Sequence, residues 1–162
     1  MESPLARPAA RPSAPADPIL AAYASRGSEC AYANLRMLAR VAGTVYDDAL
    51  RPVDLRAGQL ALMWAILATG PVEIGELARI TLTDQTTLSR TIAKLRAERL
   101  VVVRPGEDRR VKVVSLSDTG RRRFVAAMPY WEEAQRQAAR LLPLADVRVL
   151  ARGVRKASRA PA

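Results

Sequence analysis

The stretch Ile74-Gly-Glu-Leu-Ala-Arg-Ile80, Thr81-Leu82-Thr83, Asp84-Gln-Thr-Thr-Leu-Ser-Arg-Thr-Ile-Ala-Lys-Leu-Arg-Ala-Glu-Arg99 decides the fold. It predicts a short helix, a three-residue turn and a longer helix, which is helix-turn-helix spacing. In the longer helix Leu88, Ile92 and Leu95 recur at i, i+4 and i+7, so they should seat it on a core. Thr83 is expected as its N-cap, and Asp84 just behind it suits the positive end of the helix dipole. The opposite face carries Thr86, Arg90 and Ala93, with Thr87 and Lys94 beside it and Gln85 near the helix start. Such a face suits a DNA major groove. A guanidinium can take a guanine edge in two hydrogen bonds, an amide can pair with adenine, and Thr offers a hydroxyl or a methyl. The competing reading, a solvated polar face on an ordinary amphipathic helix, loses weight because a short helix precedes this one and a basic hairpin succeeds it.

In that hairpin, Val101-Val102-Val103-Arg104 and Val111-Lys112-Val113-Val114-Ser115-Leu116 are β-branched runs flanking Pro105-Gly106-Glu107-Asp108-Arg109-Arg110. They read as two strands with a charged tip. Arg109 and Arg110 at that tip suit a narrow minor groove, where an arginine reads width rather than base identity, with Asp108 holding one of them by a charge-assisted hydrogen bond. The alternative is an exposed loop with a weak surface ion pair.

Working outward, Ala31, Leu35, Leu38, Ala42, Val45 and Ala49 form an apolar stripe on a long helix that starts at about Glu29 and is stopped by Pro52. A second helix is expected from about Leu55 to Thr69, with Leu60, Met63, Trp64 and Leu67 inward, closed by Gly70-Pro71. After Leu116, Ser117-Asp118-Thr119-Gly120 opens a long helix to Arg140 in which Pro129 is expected to bend the axis. Past Pro143, Val147, Leu150 and Val154 mark a last helix from about Ala145 to Ala157. Residues 1–18 hold five of the eleven prolines among Ala, Arg and Ser, a composition read as a disordered arm. The organisation is therefore an arm (1–18), an N-terminal dimerisation helix region (19–54), a winged helix-turn-helix domain (55–118) and C-terminal dimerisation helices (119–162). The fold class is mainly α (α+β), with a small β-hairpin wing.

Composition narrows the function. With 26 Lys+Arg against 16 Asp+Glu, the formal net charge of +10 favours a polyanionic partner. No run reaches the about 18 apolar residues of a membrane span and no secretory leader opens the chain, so a cytoplasmic location without membrane contact is expected. Cys30 is the single cysteine and there is no histidine, so the usual metal ligands and general bases are missing. No nucleophile elbow or phosphate-cradling glycine loop occurs either, so no enzyme activity, metal or cofactor is expected.

Leu77-Ala78, Thr86-Thr87-Leu88-Ser89-Arg90, Leu95 through Leu100-Val101, Asp108-Arg109-Arg110, and Leu116-Ser117 with Gly120 together resemble the MarR family of bacterial regulators over about residues 29–140. The resemblance assigns DNA contacts to the Thr86–Arg90 segment, Ser89 included, minor-groove insertion to Arg110 and its support to Asp108. Two departures appear. Ser117 replaces the threonine that usually ends the wing motif, and Gln85 stands where relatives often carry Arg or Pro, which bears on the operator sequence.

The resemblance further implies a homodimer through the terminal helices, an inverted-repeat operator in double-stranded DNA, usually repression, and a small-molecule effector such as an aromatic carboxylate or an acyl-CoA thioester. For that effector Arg36 and Arg40, one turn apart, are candidate anion clamps, and Tyr46, Trp64 and Trp131 a candidate aromatic wall. Trp64 also fits simple core packing, and the two arginines fit ion pairs across the dimer. Cys30 has three readings: a buried small hydrophobe, a redox sensor, or an intermolecular disulfide partner. The functional expectation is a ligand- or redox-responsive regulator, with a constitutive architectural DNA binder without effector as the alternative.

Overall fold

The computed structural model describes residues 17–141 and 143–157; residues 1–16 of the expected arm lie outside the described residues. The chain divides into one unit ending at Arg40 and a second beginning at Val41. In the first, helix α1 (Pro18–Arg26) departs from the sequence reading, which places Pro18 in the arm. Asp17 Oδ1 accepts the Ile19 N–H at 2.8 Å, and Pro18 occupies a first-turn position where its missing N–H does no harm. A single 3-10 turn, Gly27–Glu29, leads into α2 (Ala31–Leu50), and Asn34 Nδ2 fastens the junction by donating to the Ser28 carbonyl at 2.7 Å.

The second unit holds the core. Pro52 ends α2 in a 3-10 turn, Arg51–Val53, and Asp54 takes a left-handed conformation (φ 53°) that redirects the chain into α3 (Ala57–Thr69). The buried residues of α3 are Leu60, Leu62, Met63 and Ile66. This corrects the expected inward face, because Trp64 and Leu67 are 41% and 42% exposed. Periodicity is a poor guide here because α3 is apolar nearly all round and is packed by β3, α4 and α6 at once.

A second correction concerns the segment after α3. Val72–Glu73 forms a short strand, β1, so the wing is part of a three-stranded antiparallel sheet in the order β1-β3-β2 rather than a lone hairpin. Strands β2 (Val101–Pro105) and β3 (Lys112–Leu116) pair from Val101↔Leu116 to Pro105↔Lys112, and β1 joins β3 at Val72↔Val114. Two residues of alternating pattern give too little sequence signal for a strand. Pairing with β3 is what defines it.

Between β1 and β2 lie α4 (Ile74–Thr81) and α5 (Gln85–Ala97). Leu77, Leu88, Ile92, Leu95 and Leu100 are all buried in the common core with Val101, Val114, Leu116 and Phe124. The unit closes with α6 (Asp118–Leu141), which continues through Pro129, and α7 (Leu144–Ala157).

Candidate nucleic-acid interface

The turn between α4 and α5 is fixed by backbone. Leu82 adopts φ 50°, unusual for a side chain of this size, and Thr83 N–H reaches the Ala78 carbonyl at 3.0 Å. The cap of α5 is Asp84, not Thr83. Asp84 Oδ1 accepts the Thr87 N–H at 2.8 Å, whereas Thr83 Oγ1 donates to the Thr81 carbonyl at 3.2 Å. An ionised carboxylate is the better acceptor at a helix N-terminus, and this one is stabilised by the Thr87 hydroxyl first and the Thr87 N–H second, which hold Asp84 below the usual carboxylate range.

The folded state therefore prefers ionised Asp84. Its contribution is present above the pKa of the unfolded chain and is lost as pH falls through the depressed folded value. Asp84→Ala is expected to lower Tm by a few degrees at neutral pH, with the gap to the parent protein narrowing in acid and Asp84→Asn keeping only the uncharged part of the cap, independent of pH. Thermal melts across pH 3–8, at fixed protein concentration, check this. A gap that does not change with pH would mean the charge is not what caps the helix.

With Leu88, Ile92 and Leu95 buried, α5 presents Gln85, Thr86, Thr87, Ser89, Arg90 and Lys94 as exposed side chains. Thr87 and Lys94 face a groove of about 660 Å³ running along α5 to Glu98, with Arg56, Gln59 and Leu62 of the α3 region opposite. Gln85, Thr86, Ser89 and Arg90 do not line it. The helix ends in a left-handed Arg99 (φ 60°) with Leu100 N–H bonded to the Leu95 carbonyl at 2.8 Å, a Schellman-type stop that aims the chain into β2.

At the wing tip Gly106 N–H donates to the Val111 carbonyl and Val111 N–H to the Asp108 carbonyl, each at 2.9 Å. Asp108 Oδ1 accepts the Arg110 backbone N–H at 2.9 Å. The carboxylate thus shapes the tip through the main chain, not by gripping a guanidinium as expected from sequence. Arg109 and Arg110 are exposed on that braced tip.

The effector candidates separate. Tyr46, Trp64 and Trp131 come together around a cavity of about 560 Å³, lined also by Gly43, Ala57, Leu60, Ala61 and Ala65. Trp64 and Trp131 lie 5.1 Å apart between ring centroids, and Phe124 meets Trp64 edge-on at 5.3 Å. Tyr46 donates its hydroxyl to Gln135 Oε1, and burial raises its pKa. Arg36 and Arg40 are exposed on α2 in the other unit and are not among these lining residues.

Cys30 is exposed, so among the described residues of its own chain none buries it as a small hydrophobe. Sequence reasoning missed Phe124 and Gln135, whose only signal was position on the long C-terminal helix. Among the described residues no cluster of His, Cys, Asp or Glu is placed to hold a metal, and no helix is long and apolar enough to cross a membrane.

Residues 53–111 match the sequence model of the MarR family. Among solved structures, the M. tuberculosis transcriptional regulator MOSR in complex with DNA is 30% identical, covers 80% of this chain and 94% of its own, and superposes with a TM-score of 0.70. BpsR of Bordetella bronchiseptica, whose DNA binding is regulated by 6-hydroxynicotinic acid, is 24% identical with a TM-score of 0.70 over 83% of this chain and 96% of its own. A mutant MarR from E. coli complexed with operator DNA is 19% identical, TM-score 0.67, over 76% of this chain and 89% of its own. No curated protein sequence matches the chain.

Proposed function

The chain belongs to the MarR family of DNA-binding transcriptional regulators, and on that premise we propose that it is a repressor that binds an inverted-repeat operator as a homodimer and leaves it when a small aromatic ligand binds. The observation that carries the proposal is the pairing, within one unit, of an exposed polar and basic face on α5 and the wing with a separate aromatic cavity. At about 560 Å³ the cavity is in the range that holds small organic ligands, and its lining side chains are aliphatic and aromatic, with the Tyr46 hydroxyl and the indole N–H groups of Trp64 and Trp131 as their only polar atoms. The ring of an aromatic acid, with its carboxylate left toward solvent, or the acyl part of a CoA thioester matches that lining.

The dimer is supported by apolar side chains left exposed on the terminal helices: Leu35 (49%) on α2, and Val147, Leu150 and Val154 on α7. A soluble chain with such stripes buries them on a second copy. Arg36 and Arg40, one turn apart on α2, form a candidate clamp for a carboxylate in their own right. A redox signal is the second reading, favoured by the exposure of the Cys30 thiol.

Sedimentation at low micromolar concentration is expected to give a dimer, and a folded monomer there would sink the assembly. Operator release is then titrated with 6-hydroxynicotinic acid, a panel of aromatic acids and their CoA thioesters, with hydrogen peroxide in parallel on the parent protein and on Cys30→Ser. Trp64→Ala is expected to keep operator affinity to within a few-fold and to abolish ligand release. Loss of response in Cys30→Ser alone, and to peroxide alone, selects the redox signal. An operator complex unmoved by every ligand and by peroxide selects the architectural binder.

A further inference from the structure

The aromatic cavity and the groove behind the recognition helix share a wall, the first turns of α3. Ala57 and Ala61 line the cavity, while Gly58 and Ala61 line the groove. The wall is thin because these residues carry almost no side chain, and a Cβ built on Gly58 would meet nothing within 4 Å.

Its position is set by polar contacts. Asp47 Oδ1 accepts the Ala57 N–H at 2.7 Å and its other oxygen lies 3.5 Å from Arg56 Nη1. Gln59 accepts the Arg56 N–H through Oε1 at 2.9 Å and donates through Nε2 to both carboxylate oxygens of Glu98 at 3.3 Å. Glu98 is the C-cap of α5, where the helix dipole disfavours an acid. Its partner across the groove offsets that, because Gln59 presents a donor from the positive end of α3.

We propose that Gln59 is a positioning residue: it ties the end of the recognition helix to the cavity wall, so that filling the cavity shifts α5 through the Gln59–Glu98 contact. This rests on the reading of the aromatic cavity as the effector site. Tyr46 lines the cavity and is followed directly by Asp47, so the same segment of α2 touches the ligand space and anchors the wall. An occupant pressing on Ala57 and Ala61 can move a turn that has open space at Gly58. The tether transmits that movement to Glu98 one side chain away, leaving the buried seat of α5 at Leu88, Ile92 and Leu95 as the pivot.

The test fills the cavity without needing the natural ligand. Gly43→Phe projects a ring into it from α2, where a Cβ meets nothing within 4 Å, and Ala65→Phe is the substitute if that variant does not fold. Affinity is measured for an operator selected from random duplexes, in the Gln59 parent and in Gln59→Met, with circular dichroism melts to establish that each variant is folded. The filled cavity is expected to weaken binding about tenfold in the parent, a typical coupling between sites. In Gln59→Met the same filling should change affinity by no more than about twofold, the spread of independent sites. Gln59→Glu should uncouple the two sites by setting two carboxylates together, and adding Glu98→Gln should restore coupling by reversing donor and acceptor. Equal weakening in both backgrounds would overturn the tether and leave the effector site standing. No weakening in the parent, from a folded variant, would overturn the effector site and the tether with it.

Discussion

Gly120→Ala is expected to destabilise the protein by about 3 kcal/mol, at the upper end of what overpacking usually costs, and to lower Tm by about 10 °C for a chain of this size. A Cβ at this position would lie 1.9 Å from the Leu100 carbonyl oxygen and 2.9 Å from its carbon, so the new methyl meets backbone rather than a side chain that can turn away. Nor is that backbone free to retreat. Leu100 is fully buried, its N–H is bonded to Leu95, and its carbonyl accepts the Ser117 N–H at 3.0 Å. Ser117 completes the junction, donating its hydroxyl to the Arg99 carbonyl at 2.6 Å and accepting the Gly120 N–H at 2.9 Å. One methyl thus has to push the first turn of α6 off the point where recognition helix becomes wing.

Gly43→Ala is the control. Its Cβ has open space in mid-helix, and it should be neutral or stabilising by about 0.5–1 kcal/mol. Denaturant melts of both variants at one protein concentration decide the matter, since any self-association makes apparent stability concentration-dependent. A Gly120→Ala protein as stable as its parent would mean that α6 can slide on the wing without loss.

The same junction explains how much could be read from the sequence. Leu88, Ile92 and Leu95 at helical spacing and the β-branched runs on either side of Pro105–Arg110 are local patterns, and both led to the elements observed. What failed was non-local. Val72–Glu73 is a strand only because β3 lies beside it, and α3 turns Trp64 outward because three elements compete for its faces. Capping misled by one residue: Thr83 and Asp84 are both good caps, and only the preference of a carboxylate for the Thr87 N–H separates them. The aromatic cavity was legible as residue types, since Tyr46, Trp64 and Trp131 stood out in a chain with only 4% aromatics. Phe124, Gln135 and Gln59 were not, because a residue gains such a role from what the fold brings to it.

Removing Arg90 and removing Arg110 are expected to damage DNA binding in different ways, and that difference tests how the fold reads its operator. Arg90 is exposed on α5, on the helix face opposite the buried Leu88, Ile92 and Leu95. If its guanidinium takes one guanine in two hydrogen bonds, Arg90→Ala should cost about 1–3 kcal/mol and relax preference at one position in each half-site. The half-site centres of a two-fold dimer should lie about 10 bp apart. Arg110 sits on a tip whose main chain Asp108 braces, so if the guanidinium enters a minor groove only the side chain, not the loop, has to be ordered. Its loss should lower affinity most at A·T-rich flanks, where the minor groove is narrow, and leave base preferences of the major groove unchanged. Asp108→Ala keeps the guanidinium but frees the tip, and should reproduce part of the Arg110 loss. Lys94 is exposed at the edge of the groove beside α5, and if its ammonium pairs with a phosphate, Lys94→Ala should reduce the slope of log affinity against log salt by about one for every sequence. A salt-titrated binding series on a selected operator and its point-substituted copies separates the three. Losses of equal size for Arg90→Ala and Lys94→Ala on every sequence would mean that α5 holds the backbone and reads no base, and the operator would then be set by the shape of the duplex alone.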